Sequence, residues 1–408
     1  MDKYHNHFHI TKHLHLRNFL HNEYNDLVIA DTFRLLAISM VSLFIPIFLL
    51  NSSFSILEVA FMELGVFVGA ILFHFLTLKF LNAFGGVKRV MIWSYVIYIL
   101  MYLALRYTDF LVAGFGKVIF LIIIAVLDVS ASCFYWTTHH VYFFKSTKSR
   151  NAGKKLGILL SVPTIAGISS PFLGSILIDN FSFHTTFLVS AILMIIASSA
   201  LFFSRDIKTE IDMSLKKSFN FHNPRTNIIF FIQGLGYAAV GFIWPILLFL
   251  FSIELISMGF LYLFSNIVYA AISYFGGKKT DNDHSNLIGR VGAVGHGFSM
   301  IFRALSTTIL AMTAFQTMGG FFGGLVHIAI DADFFRNSHK DMANAIMCRE
   351  IYMNLGRAFL VFILIILLFY FPVRQVFIGA LIFSGFLTFI LSILIKARPN
   401  NEEIECCE

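Results

Sequence analysis

Charged residues are what this sequence has least of. Only 13% of its 408 residues are Asp, Glu, Lys or Arg, while 58% are hydrophobic; a soluble domain usually carries about a quarter charged. Folding around one soluble core is excluded, because covering that much apolar surface would leave no polar exterior. Cysteine is scarce too, and Cys133, Cys348, Cys406 and Cys407 show neither metal-ligand spacing nor a disulfide framework. The sequence contains no HExxH, no Gly-rich nucleotide loop and no convincingly aligned Ser/His or Asp/Asp pair. An enzyme and an ATP-driven pump are therefore not expected, and neither are catalytic residues, a resident metal or a cofactor. The polar start has no short apolar core, so no cleaved signal peptide is expected.

What is present is apolar length. Runs of about 18 to 25 residues recur along the chain, each long enough at about 1.5 Å per residue to cross a hydrocarbon core of about 30 Å. Twelve such runs are counted, six on each side of a polar stretch in mid-chain. The expected fold is an all-α polytopic membrane protein of twelve transmembrane helices in two pseudo-symmetric six-helix bundles. Its parts read as a His-rich cytoplasmic segment over 1–25, an N-terminal bundle over 26–204, a cytoplasmic linker over 205–225, a C-terminal bundle over 226–397 and a tail over 398–408. Imidazoles spaced as His5, His7, His9, His13, His15 and His21 are can bind Zn, Cu or Ni. The plainer reading is a tail leading into an interfacial helix.

The net charge of +7 reports topology, not nucleic acid. Lys and Arg sit in alternate loops, as at Lys88 and Arg89 and again from Lys145 to Lys155, and the intervening loops hold few. The positive-inside rule puts both termini in the cytoplasm, and the plasma membrane is the expected location.

Ionisable residues inside these runs are the candidate site. An ionisable side chain costs several kcal/mol in hydrocarbon, so it faces a partner or a water-filled cavity. Asp31 and Arg34 share a face of the first span and can neutralise each other. Glu63, deeper than Glu58 in the second span, and Asp128, near the middle of the fourth, have no such neighbour in sequence. His139 and His140 point about 100° apart and are poorly placed to share a metal. In the eleventh span Glu350, Asn354 and Arg357 form a stripe at i, i+4 and i+7, with Arg349 beside it. Glu63, Asp128, Gln233, Asn354 and Arg357 are the residues expected to bind substrate or proton.

The halves repeat each other. Pro46 recurs as Pro245, and the stretch Leu78–Gly85 recurs, at the same offset, as the stretch containing Gly277–Asp281. Phe143-Phe144-Lys145 recurs as Phe334-Phe335-Arg336 at a smaller offset, so the repeat carries indels. A polar turn after the second span of each half, reading Gly277-Lys278-Lys279-Thr280-Asp281 in the second copy, resembles the Gly-x-x-x-Asp motif of the major facilitator superfamily. In the first copy Leu78 and Asn82 replace the Gly and Asp, while Gly85 and Lys88-Arg89 remain. Small residues in the fifth span, Gly157, Ala166, Ser170-Pro171, Gly174 and Ser175, resemble the antiporter motif of proton-coupled multidrug exporters in that superfamily.

The resemblance implies a secondary transporter in which two bundles rock about a midplane site. Asn82, Gly85, Arg89, Gly277, Asp281, Lys154 and Lys155 are then gating residues, Asp281 approaching Lys154 and Lys155, and Asn82 approaching Arg349. It also implies a small-molecule substrate, the lipid bilayer and protons or another coupling ion as partners, with no nucleic acid, in a monomer. The alternative is a non-transporting membrane receptor or scaffold of the same fold.

Overall fold

In lipid every backbone N–H and C=O must be satisfied within its own segment, so apolar runs of this length become helices. A computed structural model describes residues 23–84, 86–146, 152–202, 224–280, 285–337 and 341–395, and among them there is no strand. Most of the His-rich segment, of the linker and of the tail lies outside these residues.

The N-terminal bundle comprises α1 (Glu23–Val41), α2 (Ile45–Asn51), α3 (Ile56–Phe84), α4 (Val87–Arg106), α5 (Thr108–Phe115), α6 (Lys117–Ser146), α7 (Ala152–Asn180) and α8 (Phe183–Phe202). In the C-terminal bundle come α9 (Pro224–Ala238), a π-helical turn (Ala239–Ile243), α10 (Trp244–Leu250), α11 (Leu255–Thr280), α12 (Ser285–Leu305), α13 (Ile309–Asn337), α14 (Met342–Leu368) and α15 (Val373–Leu394). Taken together, α1 with α2 and α9 with α10 each make one crossing, and α5 is too short to cross. Twelve membrane helices result, six in each bundle. Eleven of them are long and apolar enough to cross a membrane. The twelfth, α12, carries Arg290, His296 and Arg303 on a 21-residue helix. The first crossing starts, and the last ends, at one face of the bundle, called here the terminal face; the opposite one is the distal face.

Both halves use the same devices. At the distal end of the first crossing in each half, Ser53 (φ 65°) and Ser252 (φ 57°) adopt the left-handed region. Matching backbone bonds close the two turns: Phe54 N–H donates to Leu49 O and Ile253 N–H to Leu248 O, each at 3.1 Å. The next helix, α3, opens on a capping box. Ser55 N–H donates to Glu58 Oε2 at 2.7 Å and Glu58 N–H to Ser55 Oγ at 3.2 Å, which accounts for Glu58 as a helix cap.

Between apolar helices in lipid the hydrophobic effect gives no driving force, so close packing at small residues has to hold them. A side chain at Gly174 would strike the backbone of Met40, which is how α7 packs on α1. Gly234 faces the Met353 carbonyl and Gly356 the Phe231 carbonyl, so α9 and α14 touch backbone to backbone. The two halves meet where α3 packs on α14 and α7 on α11. On the distal side of that seam Gly259 lies against Phe172 and Ser175, and the Phe172 and Phe260 rings are 4.2 Å apart.

One expectation needs correction. The stretch from Gly276 to Thr280 reads as a polar turn, but α11 continues through it to Thr280. No proline stands between Leu255 and Thr280 to stop the helix. The helix of the fifth span likewise runs unbroken through Pro163 and Pro171.

Candidate functional site

The seam between the halves is where the polar residues collect. On the N-terminal side α3 and α6 run in the same direction, with Cys133 Sγ 3.8 Å from Ala70 O and His74 Nδ1 3.0 Å from Thr137 Oγ1. Toward the distal face on the same two helices, Glu63 on α3 lies in the field of Asp128 on α6 and in that of Arg357 from the other half. Tyr98 and Tyr102 on α4 lie near Asp128.

From the C-terminal half, α14 turns the stripe read from its sequence toward this pair. Arg357 Nη1 donates to Asn354 Oδ1 at 3.1 Å, and Asn354 Nδ2 donates to Glu350 O at 2.9 Å. The Arg357 guanidinium sits 5.9 Å from the Phe67 ring centroid of the opposite half and 5.6 Å from that of Tyr237; both distances lie within reach of a cation–π attraction. Gln233 joins through Tyr237. Its amide Nε2 donates to Tyr237 Oη at 3.3 Å and stands 3.2 Å from His327 Nδ1, with the Tyr237 and His327 rings stacked at 4.8 Å. Buried Gln233 Oε1 has no hydrogen-bond partner among the described residues. All five residues picked from sequence therefore lie at one seam: a guanidinium and two amides linked through Tyr237 on one side, and two carboxylates on the other, of which Glu63 is in the field of Arg357.

Nearer the terminal face a second layer crosses the seam. Glu350 on α14 meets His74 Nε2 at 3.4 Å and His140 Nε2 at 3.5 Å. Its neighbour Arg349 turns away to Asp331, at 2.7 Å, and over the Phe334 ring. His74 was missed in the sequence. Its signal was an imidazole alone in the run from Gly69 to Leu78, which hydrocarbon tolerates only with a partner.

Asp31 and Arg34, both buried, form a separate structural cluster within the N-terminal half. Tyr135 Oη donates to Asp31 Oδ1 at 2.9 Å, His139 Nε2 lies 3.6 Å from Oδ2, and Arg34 stacks over the Tyr135 ring. His139 and His140 thus serve different carboxylates, as their angular separation implied, and among the described residues no group of three potential metal ligands is found. Tyr135→Phe removes a hydrogen bond to a buried carboxylate and should cost about 1.5–3 kcal/mol, read as a lower melting temperature in detergent.

The gating residues fare unequally. Asn82 and Arg89 are exposed near the terminal face. Gly85 and Asp281 lie outside the described residues, as do the side chains of Lys154 and Lys155 and the surroundings of Gly277, although these three positions are helical.

Two six-helix bundles packed against each other along a polar seam have the architecture of a membrane transporter. The chain matches the Major Facilitator Superfamily over residues 27–348 and belongs to it. No curated protein matches it.

Proposed function

We propose that this protein is a secondary active transporter that moves a small molecule across the plasma membrane by alternating access, coupled to protons, with the terminal face in the cytoplasm. The observation that carries the reading is that Glu63, in the field of Asp128 from its own half, is also in the field of Arg357 from the other. A site built from both halves is remade whenever the halves rock, so its occupancy and the direction it faces are linked. Arg357 offers a fork for an anionic or strongly polar group, and Gln233 and Asn354 offer amides. Glu63 or Asp128 carries the proton when Arg357 is engaged by substrate. The small-residue face of α7, shared with the antiporter motif, favours export.

The test is a substrate panel in reconstituted vesicles with and without a pH gradient. Glu63→Gln and Asp128→Asn should each lower gradient-driven accumulation about tenfold or more while sparing substrate exchange at equal pH, because only the proton-linked step needs the carboxylate. Unchanged gradient dependence in both variants removes the proton role from these residues. Binding without any transport would assign a receptor.

A further inference from the structure

Glu350 is 6% exposed and is held by two imidazoles from the opposite half, one on α3 and one on α6. Two guanidiniums of its own helix stand near it as well: Arg349, paired with Asp331 of α13, and Arg357, two turns along, both act on Glu350, and Arg357 is also in the field of Glu63, which Asp128 accompanies. Asp331 also reaches toward His140, and the thiol of Cys133 lies beside His74. Around this seam four carboxylates, Glu63, Asp128, Asp331 and Glu350, thus face two guanidiniums, Arg349 and Arg357. Asp331 is partly exposed, and the buried remainder is balanced when a proton is taken up on a carboxyl or on a neighbouring imidazole.

The geometry around His74 gives an imidazole able to take that proton. Its Nδ1 is 3.0 Å from Thr137 Oγ1 and its Nε2 is 3.4 Å from Glu350 Oε2. A neutral ring donates to Glu350 and accepts from the Thr137 hydroxyl, and an imidazolium donates to both, so both protonation states find partners here. His140 reaches the same carboxylate with its Nε2 alone, as a neutral ring can.

We infer that His74, Glu350 and His140 form a proton-binding latch: one proton held on His74 pairs the imidazolium with the Glu350 carboxylate and ties the two halves together at the terminal face. This rests on the alternating-access reading and gives it a coupling site apart from Glu63 and Asp128. When the latch opens, the N–H bond of His74 breaks, the electron pair stays on the ring, and the proton passes to water on the terminal side. Glu350 is then left as an anion beside two neutral imidazoles. Water entering the parted seam solvates it, so release of the proton and separation of the halves favour each other.

The experiment measures the distance between the halves without any substrate. Spin labels are placed at Ala83→Cys and Leu287→Cys, exposed positions on helices of opposite halves near the terminal face. Cys406 and Cys407 are replaced by Ser, while Cys133 and Cys348 are buried and stay. Between about pH 6 and about pH 9, across which an imidazole can lose its proton, the unaltered latch should move from a short to a longer distance population. His74→Asn and Glu350→Gln should each give one distribution at both pH values. His140→Asn keeps an N–H donor without titrating and should retain the shift. A distribution that ignores pH in the unaltered latch overturns the inference, and so does a pH shift preserved in His74→Asn. If the vesicles transport substrate while the distances ignore pH, the latch fails and the transporter reading stands. If the distances respond as expected and nothing in the panel moves, the latch stands and the transporter reading fails.

Discussion

Arg357→Gln is expected to reduce gradient-driven transport by about 100-fold or more and to lower the melting temperature as well. Two losses combine. The guanidinium is the charged group that the C-terminal half brings into the field of Glu63, and removing one partner of a buried charge set leaves the rest uncompensated, at about 3–5 kcal/mol. It also orients Asn354 through the 3.1 Å bond to Oδ1, so the amide is released along with the charge. Arg357→Lys keeps the charge and loses the planar fork, and should retain stability while losing much of the transport. Pairing Arg357→Gln with Glu63→Gln should recover the melting temperature and leave transport absent. Recovery of transport in the double variant would mean that the guanidinium only neutralises Glu63 and has no part in binding.

The second large effect concerns assembly. Gly234 and Gly356 put α9 and α14 in reciprocal backbone contact, each opposite a carbonyl of the other helix. Even the single methyl of Gly356→Ala would fall on the Phe231 carbonyl, and no flexible side-chain end is there to yield. The cost should reach or exceed about 3 kcal/mol, the upper part of the range for overpacking, because whole helices must separate. Loss of the monodisperse species in size-exclusion chromatography is the expected result for Gly234→Ala and Gly356→Ala alike. Gly65→Ala is the control: nothing stands within 4 Å of its would-be side chain, and its chromatogram should be unchanged.

The first argument starts from residues that could be picked out in the sequence, whereas the contacts of Gly234 and Gly356 are visible only in the fold. The stripe Glu350, Asn354 and Arg357 is visible because a helix returns to one face every three or four residues, and polar groups in an apolar run mark that face. Glu63 and Asp128 stand out through the cost of charge in hydrocarbon. What periodicity lacks is the partner across the seam. Nothing near His74 in the chain points to Glu350, since the contact depends on the registers of α3 and α14, which come from different halves. The shift in the repeat was legible as an indel but not as a structure: between the third and fourth crossings the first half holds the eight-residue α5, and the second half has only the short link from Ser306 to Thr308. The continuation of α11 to Thr280 was misread because polar residues after a glycine suggest a turn, although the same residues suit the end of a helix.

The left-handed serines at the distal face bear on how each half ends its first crossing. For an L-residue that conformation costs about 1–2 kcal/mol, and a glycine at either place would avoid it. Yet Ser53 and Ser252 adopt it at equivalent points, one after each half's first crossing, with the same pattern of backbone bonds around them. A left-handed residue with such a backbone bond is a common helix terminus, because it satisfies carbonyls that the last turn leaves free. Each half therefore seals the end of its first crossing through the backbone alone, with no polar side chain spent on the distal cap.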